Sequence, residues 1–153
     1  MPLMRVLALF VLAASIAAVP AFAATPRAKV QVRSTTVGSA LADRRGRALY
    51  TRSLDVSSKS TCYGSCAAAW PPLLTSASPL AGSGAKQTLL GTTKRKDGKL
   101  QVTYAGHPLY YAGRDPEPGQ ITAQGTASTW WLIASSGKKI TKLPGGGYIG
   151  TTT

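Results

Sequence analysis

Beyond a first apolar stretch, hydrophobic and polar residues alternate in short runs that glycine and proline interrupt every few positions, a pattern of strands and turns. Val30 and Val32 open a first strand that continues to Val37 and is broken by Gly38. Ser39–Asp43 and Arg47–Thr51 flank Arg44-Arg45-Gly46 and predict a hairpin with glycine in its turn. Leu54 to Lys59 reads as a loop. Three alanines predict one helical turn over Cys66–Trp70, stopped by Pro71-Pro72. A stretch rich in Ser, Gly, Ala and Pro follows, and after it the strand signals resume. Lys86–Thr93 and Leu100–Tyr104 flank the charged Lys94–Gly98 turn with its Asp-Gly signal. Ala105–Pro108 turns again into Leu109–Tyr111. Asp115–Gly125 is a loop, Trp130–Ala134 a strand, and Ser135-Ser136-Gly137 turns it towards Ile140. The predicted class is mainly β: a small antiparallel domain with one short helical turn near Cys66–Trp70.

The same residues recur sixty positions apart. Gly38 and Gly98, Gly46 and Gly106, Leu49 and Leu109, Tyr50 and Tyr110, Asp55 and Asp115, Ala67 and Ala127, and Trp70 and Trp130 match without a gap. The shared pattern is G-x-x-L-Y-x4-D-x14-W, which predicts two related halves, each containing a hairpin, that pack on each other because neither easily buries a core alone. Each Asp is expected to close an Asx turn and each Trp to supply buried surface. The halves are placed at residues 30–75 and 86–142, with 76–85 as linker, 24–29 as leader and 143–153 as a frayed tail.

The N-terminus changes the picture of location. Arg5, the run Val6–Val19, Pro20 and the small residues Ala21-Phe22-Ala23-Ala24 have the three-part layout of an export signal cleaved after Ala23, so residues 1–23 are expected to be removed. The 14-residue run is short for a membrane span, which needs roughly 20 residues. No cysteine follows the cut to take a lipid, so the expected product is a soluble secreted or periplasmic protein with no transmembrane segment. It has 17 basic residues against five acidic ones, a net charge of +12. Such a surface draws anionic envelope polymers or lipids, and nucleic acid also fits the charge.

At G-R-A-L-Y (Gly46–Tyr50), K-S-T-C-Y-G-S-C-A-A-A-W-P-P-L-L (Lys59–Leu74), L-L-G-T-T-K-R-K-D-G (Leu89–Gly98) and Q-V-T-Y-A-G-H-P-L-Y-Y (Gln101–Tyr111), the chain resembles the secreted-repeat, or lipoprotein-repeat, family. That family is known by a Y-x-[FWY]-x-x-D motif and has no established function. The resemblance spans roughly Val30 to Ile140. The motif falls on Tyr50–Asp55 and Tyr110–Asp115, with Arg52 and Ala112 where the family has its middle aromatic. The resemblance supports the repeat and implies no activity.

Cys62 and Cys66 are the only cysteines and, in an exported chain, predict a disulfide. A redox pair is the sharper alternative, although its usual spacing is one residue shorter. Four Cys/His ligands for structural zinc cannot be assembled from these two cysteines and His107, and covalent haem attachment fails on spacing. Non-covalent haem on His107 remains an alternative, but no cofactor and no metal is predicted. His107 in Gly106-His107-Pro108 reads first as an exposed turn residue. No G-x-S-x-G, P-loop or H-E-x-x-H occurs. The leading expectation is a non-enzymatic exported binding module with a basic surface, and the alternative is an extracytoplasmic redox or metal- or haem-associated protein using Cys62 and Cys66. The candidate binding residues are the repeated Tyr50, Asp55, Trp70, Tyr110, Asp115 and Trp130, with His107.

Overall fold

The computed structural model describes residues 24–147, so the expected export signal and the last six positions lie outside the described residues. Strand β1 (Lys29–Thr35) pairs antiparallel with β2 (Gly38–Asp43) across a turn at Thr36-Val37. After Asp43 the chain reverses through Arg44–Gly46, where the Asp43 amide donates to Arg47 O at 2.9 Å. Gly46 carries φ 89° and its repeat mate Gly106 φ 80°, a left-handed backbone that disfavours any side chain, so the repeated glycines mark the same forced turn. Strand β3 (Tyr50–Arg52) follows, then helix α1 (Ser65–Ala69), stopped at Trp70 by the two prolines.

Strand β4 is Leu80–Ala81. The second half holds β5 (Leu90–Lys94), β6 (Leu100–Tyr104), β7 (His107–Pro108) and β8 (Trp130–Leu132), with β5, β6 and β7 forming one antiparallel sheet. The fold is mainly β with little helix, as the alternation predicts.

Three local expectations are corrected. The hairpin expected to run to Thr51 pairs back on β2 only as far as Leu49, whose amide donates to Leu41 O at 3.0 Å; β3 then leaves to pair with β8. Lys86–Thr93 is not one strand: a 3-10 turn occupies Gln87–Leu89 before β5 begins, held where the Lys86 amide meets the Tyr104 hydroxyl at 3.0 Å. The stretch between the halves contributes structure of its own, because β4 lies parallel to β1 and the Val32 amide reaches Ser83 O at 2.8 Å. Backbone groups along the β1 edge would otherwise lack protein partners.

The two halves exchange strands. Tyr50, Thr51 and Arg52 pair with Leu132, Trp131 and Trp130. Reciprocally, the segment after Trp70 pairs with the second half: Leu73 donates to Leu109 O at 2.9 Å, and Tyr111 donates to Pro71 O at 2.8 Å. At the centre Tyr50 and Tyr110 bond to each other in both directions, amide to carbonyl, at 2.8 and 2.9 Å. One pseudo-twofold axis therefore passes between them. One core cluster surrounds these tyrosines with Cys62, Ile121, Trp130 and Leu132. The other pairs equivalent residues of the halves, Leu49 with Leu109 and Leu73 with Ile133, around Val30, Val102 and Tyr104.

Candidate functional site

The repeated residues meet on the axis and bond across it. Tyr50 donates its hydroxyl to Asp115 Oδ2 at 2.5 Å, and Tyr110 donates to Asp55 Oδ2 at 2.6 Å. Each tyrosine is thus held by the aspartate of the other repeat. Trp70 and Trp130 stack with ring centroids 4.0 Å apart and planes within 2°, and each tyrosine meets the tryptophan of its own repeat edge-on, at 5.5 and 5.1 Å. Tyr50, Tyr110, Trp130 and Asp115 are buried, Trp70 and Asp55 half-buried. The Asx-turn expectation for the aspartates is corrected. Asp55 Oδ1 accepts from the Thr61 amide and hydroxyl, and Asp115 Oδ1 from those of Thr122. These bonds span six and seven positions, where an Asx turn spans two, while the other oxygen of each carboxylate reaches across the axis to a tyrosine.

Burial is the main reason the hydroxyls of Tyr50 and Tyr110 are pushed well above the usual tyrosine pKa; next comes the hydrogen bond each makes to an aspartate. Tyr111 is pushed up as well, by burial first and by the Asp43 carboxylate second. A pKa raised in the folded state gives stability that is complete below the unfolded value, about 10 for tyrosine, and is lost as pH rises through the folded value. Unfolding is therefore expected to become steeply easier above about pH 10. Phenolate absorbance from these three tyrosines should appear together with loss of the near-ultraviolet dichroism, which a pH titration followed by both signals checks. Phenolate from all three rising while the dichroism holds would overturn the assignment.

Cys62 and Cys66 are bonded, with S–S 2.02 Å and Cα–Cα 5.2 Å. Closing so short a loop is worth about 2 kcal/mol in the chain-entropy account. Cys62 is fully buried, and its carbonyl accepts from Arg95 Nη2 at 2.8 Å. Arg95, in a run that reads as a solvated turn, is 5 % exposed. It donates to Ser60 Oγ and Gln101 Oε1 at 2.9 and 2.7 Å and lies over the Tyr63 ring. The Ser60 hydroxyl in turn donates to the Tyr110 hydroxyl oxygen at 2.8 Å, so the disulfide loop is tied to the axis.

The surface holds a cleft of about 510 Å³ that the spacing of residues does not announce. Its walls are the turn after β2, the leader at residues 24–29, Pro72–Leu74 and Tyr111. Arg27, Lys29, Arg44, Arg45 and Arg47 line it against a single acid, Asp43. That acid is used internally: Oδ1 accepts from the amides of Arg45 and Arg47 at 2.8 and 3.0 Å, and Oδ2 from the Tyr111 hydroxyl at 3.1 Å. The Arg47 guanidinium lies 4.2 Å from the Tyr111 ring centroid, and its Nε is buried with no hydrogen-bond partner among the described residues. Both ion pairs found among the described residues belong to Asp97, so the cleft's cations stay unneutralised. The only sequence signal for this cleft is the Arg44-Arg45-Gly46-Arg47 turn. His107 is exposed at the start of β7, in the wall of a second cleft. Among the described residues no three His, Cys, Asp or Glu side chains converge as metal ligands, and no helix is long and apolar enough to cross a membrane.

A family model described as a secreted repeat of unknown function matches the chain twice, at residues 31–74 and 91–134, the two halves related by the axis. No curated protein and no solved structure matches the chain.

Proposed function

Because the chain belongs to the family of secreted repeats of unknown function, we propose that it is an exported, soluble, non-enzymatic binding module whose basic cleft holds the phosphate or carboxylate groups of an anionic envelope polymer. The observation that carries this is the cleft lined by Arg27, Lys29, Arg44, Arg45 and Arg47, whose one carboxylate is taken up by its own backbone and by Tyr111. Guanidinium groups suit such ligands because their planar fork binds two oxygens of one anion. The repeated Tyr, Asp and Trp residues serve this reading as scaffold, since the hydroxyls and carboxylates bond across the axis and the indoles stack on each other. A polymer is favoured over a lipid surface because the exposed large hydrophobic residues, Leu54, Val56 and Leu80, do not border this cleft. The disulfide acts as a staple of the loop that Arg95 holds.

The test is calorimetric titration with inorganic polyphosphate at rising salt, with anionic vesicles and single-stranded DNA as separate arms. Binding is expected at low salt and should fall steeply by 1 M, where charges are screened beyond about 3 Å. Arg44→Ala with Arg45→Ala, both exposed, should weaken it by about tenfold, or about 1.4 kcal/mol. No binding at low salt, or affinity indifferent to salt, overturns the proposal. Tighter binding to vesicles or DNA than to polyphosphate would replace the polymer with that partner.

A further inference from the structure

The pseudo-twofold axis relates part of the wall of one cleft to part of the wall of another. Sixty positions after Arg47 stands His107, and sixty before Tyr111 stands Thr51. Arg47 and Tyr111 line the first cleft; His107 and Thr51 line the second, of about 570 Å³. Each cleft therefore joins the turn of one repeat to the strand of the other. The second is also cationic, with Arg52, Lys138 and Lys139 against one acid, Asp55. That carboxylate is again spent inside the protein, on the Tyr110 hydroxyl and on the amide and hydroxyl of Thr61. Lys138 and Lys139 are exposed, and Lys139 Nζ stands 5.4 Å from the Trp131 ring centroid. In the wall, Thr51 is 4 % exposed and its hydroxyl has no hydrogen-bond partner among the described residues. An orphaned buried hydroxyl is costly unless a group outside the described contacts meets it.

From this shared wall and the second cleft's own cations we infer that the domain is bivalent: the cleft of Arg52, Lys138, Lys139, His107 and Thr51 is a second anion site. One molecule then holds two anionic groups and bridges polymer chains. The inference rests on the proposed binding function and deepens it. The first cleft, with more cations, is the tighter of the two. Joining two sites in one rigid body raises the avidity for a long polymer above that of either site.

The experiment uses the exported chain, with tripolyphosphate in calorimetry to count sites and long-chain polyphosphate in light scattering to detect bridging. Wild type is expected to take two tripolyphosphates, one tighter, and to scatter with the long polymer near equal site concentrations. Lys138→Ala with Lys139→Ala should keep the tighter site, lose the weaker and abolish scattering. Arg44→Ala with Arg45→Ala should weaken the tighter site about tenfold, leave the weaker unchanged and sharply reduce scattering. Lys86→Ala with Lys94→Ala removes the same charge outside both clefts and should change neither reading, which separates a site from general attraction. One tripolyphosphate per wild-type chain, with no change in the Lys138/Lys139 variant, overturns the second site and leaves the first standing. An equal loss in the Lys86/Lys94 variant overturns both sites. No binding by wild type at low salt overturns the binding function itself.

Discussion

An Asp115→Ala variant is expected to lose about 4 kcal/mol of folding stability, a large part of what a domain of this size has. The carboxylate is 2 % exposed and serves both repeats. Oδ2 accepts the Tyr50 hydroxyl at 2.5 Å and the Ala123 amide at 3.2 Å, while Oδ1 holds the Thr122 amide and hydroxyl. Its removal strands the Tyr50 hydroxyl in the core and frees the loop that carries Ile121 and Ala123. Asp55→Ala should cost only about 1 to 2 kcal/mol, because water can replace a partly exposed acceptor. Tyr110 would also keep Ser60 Oγ, at 2.8 Å. Urea unfolding of the two variants measures both. An Asp115 variant within about 1 kcal/mol of wild type would show that the crossed bonds do not hold the halves together, and equal losses for the two aspartates would show that burial does not set their weights. Tyr50→Phe combined with Asp115→Asn should cost less than the sum of the single changes, since the two groups bond to each other.

The residues that meet on the axis were legible in the sequence, but their partners were not. Tyr50 and Tyr110, Asp55 and Asp115, and Trp70 and Trp130 stand out through a constant offset, and local turn chemistry locates the bends at Gly46 and Gly98. An aspartate beside a loop suggests a bond within that loop, whereas the second oxygen of each carboxylate reaches a tyrosine more than fifty positions away. Hairpin logic likewise sends Arg47–Thr51 back onto β2. The chain departs at Tyr50 because β8, from the other repeat, supplies the longer-range partner. Periodicity carries no information about which half a strand joins. Arg95 shows the same limit: in Lys94–Gly98 it looks solvated, yet the Cys62 carbonyl, Ser60 and Gln101 bury it. The first cleft was half visible, as a run of arginines in a turn. That Pro72–Leu74 and the leader would wall it in depends on the strand exchange.

The exchange also predicts that neither half survives alone. Produced separately, residues 24–85 and 86–153 are each expected to lack cooperative unfolding, and mixing them should restore it. The first half alone would keep the β1–β2 hairpin and β4, too small a sheet to be stable without a covered face. It would expose Leu49, Tyr50 and Leu73, which the complete chain buries against Leu109, Tyr110 and Ile133. The second half would expose those partners and half of the Trp70–Trp130 stack. Near-ultraviolet dichroism of the stacked indoles, absent in each half and recovered in an equimolar mixture, is the signal to follow. A half that unfolds cooperatively by itself would show that the duplication joined two autonomous units, and the exchange would then be a consequence of tethering and not a requirement of folding. Polyphosphate binding gives an independent check on the same mixture. Arg47 meets Tyr111 in one cleft and His107 meets Thr51 in the other, so each cleft takes one wall from each repeat. Binding should therefore be missing from both halves, basic as they are, and return with the dichroism. If a separated half bound as tightly as the whole chain, its charge alone would account for the affinity and the clefts would not.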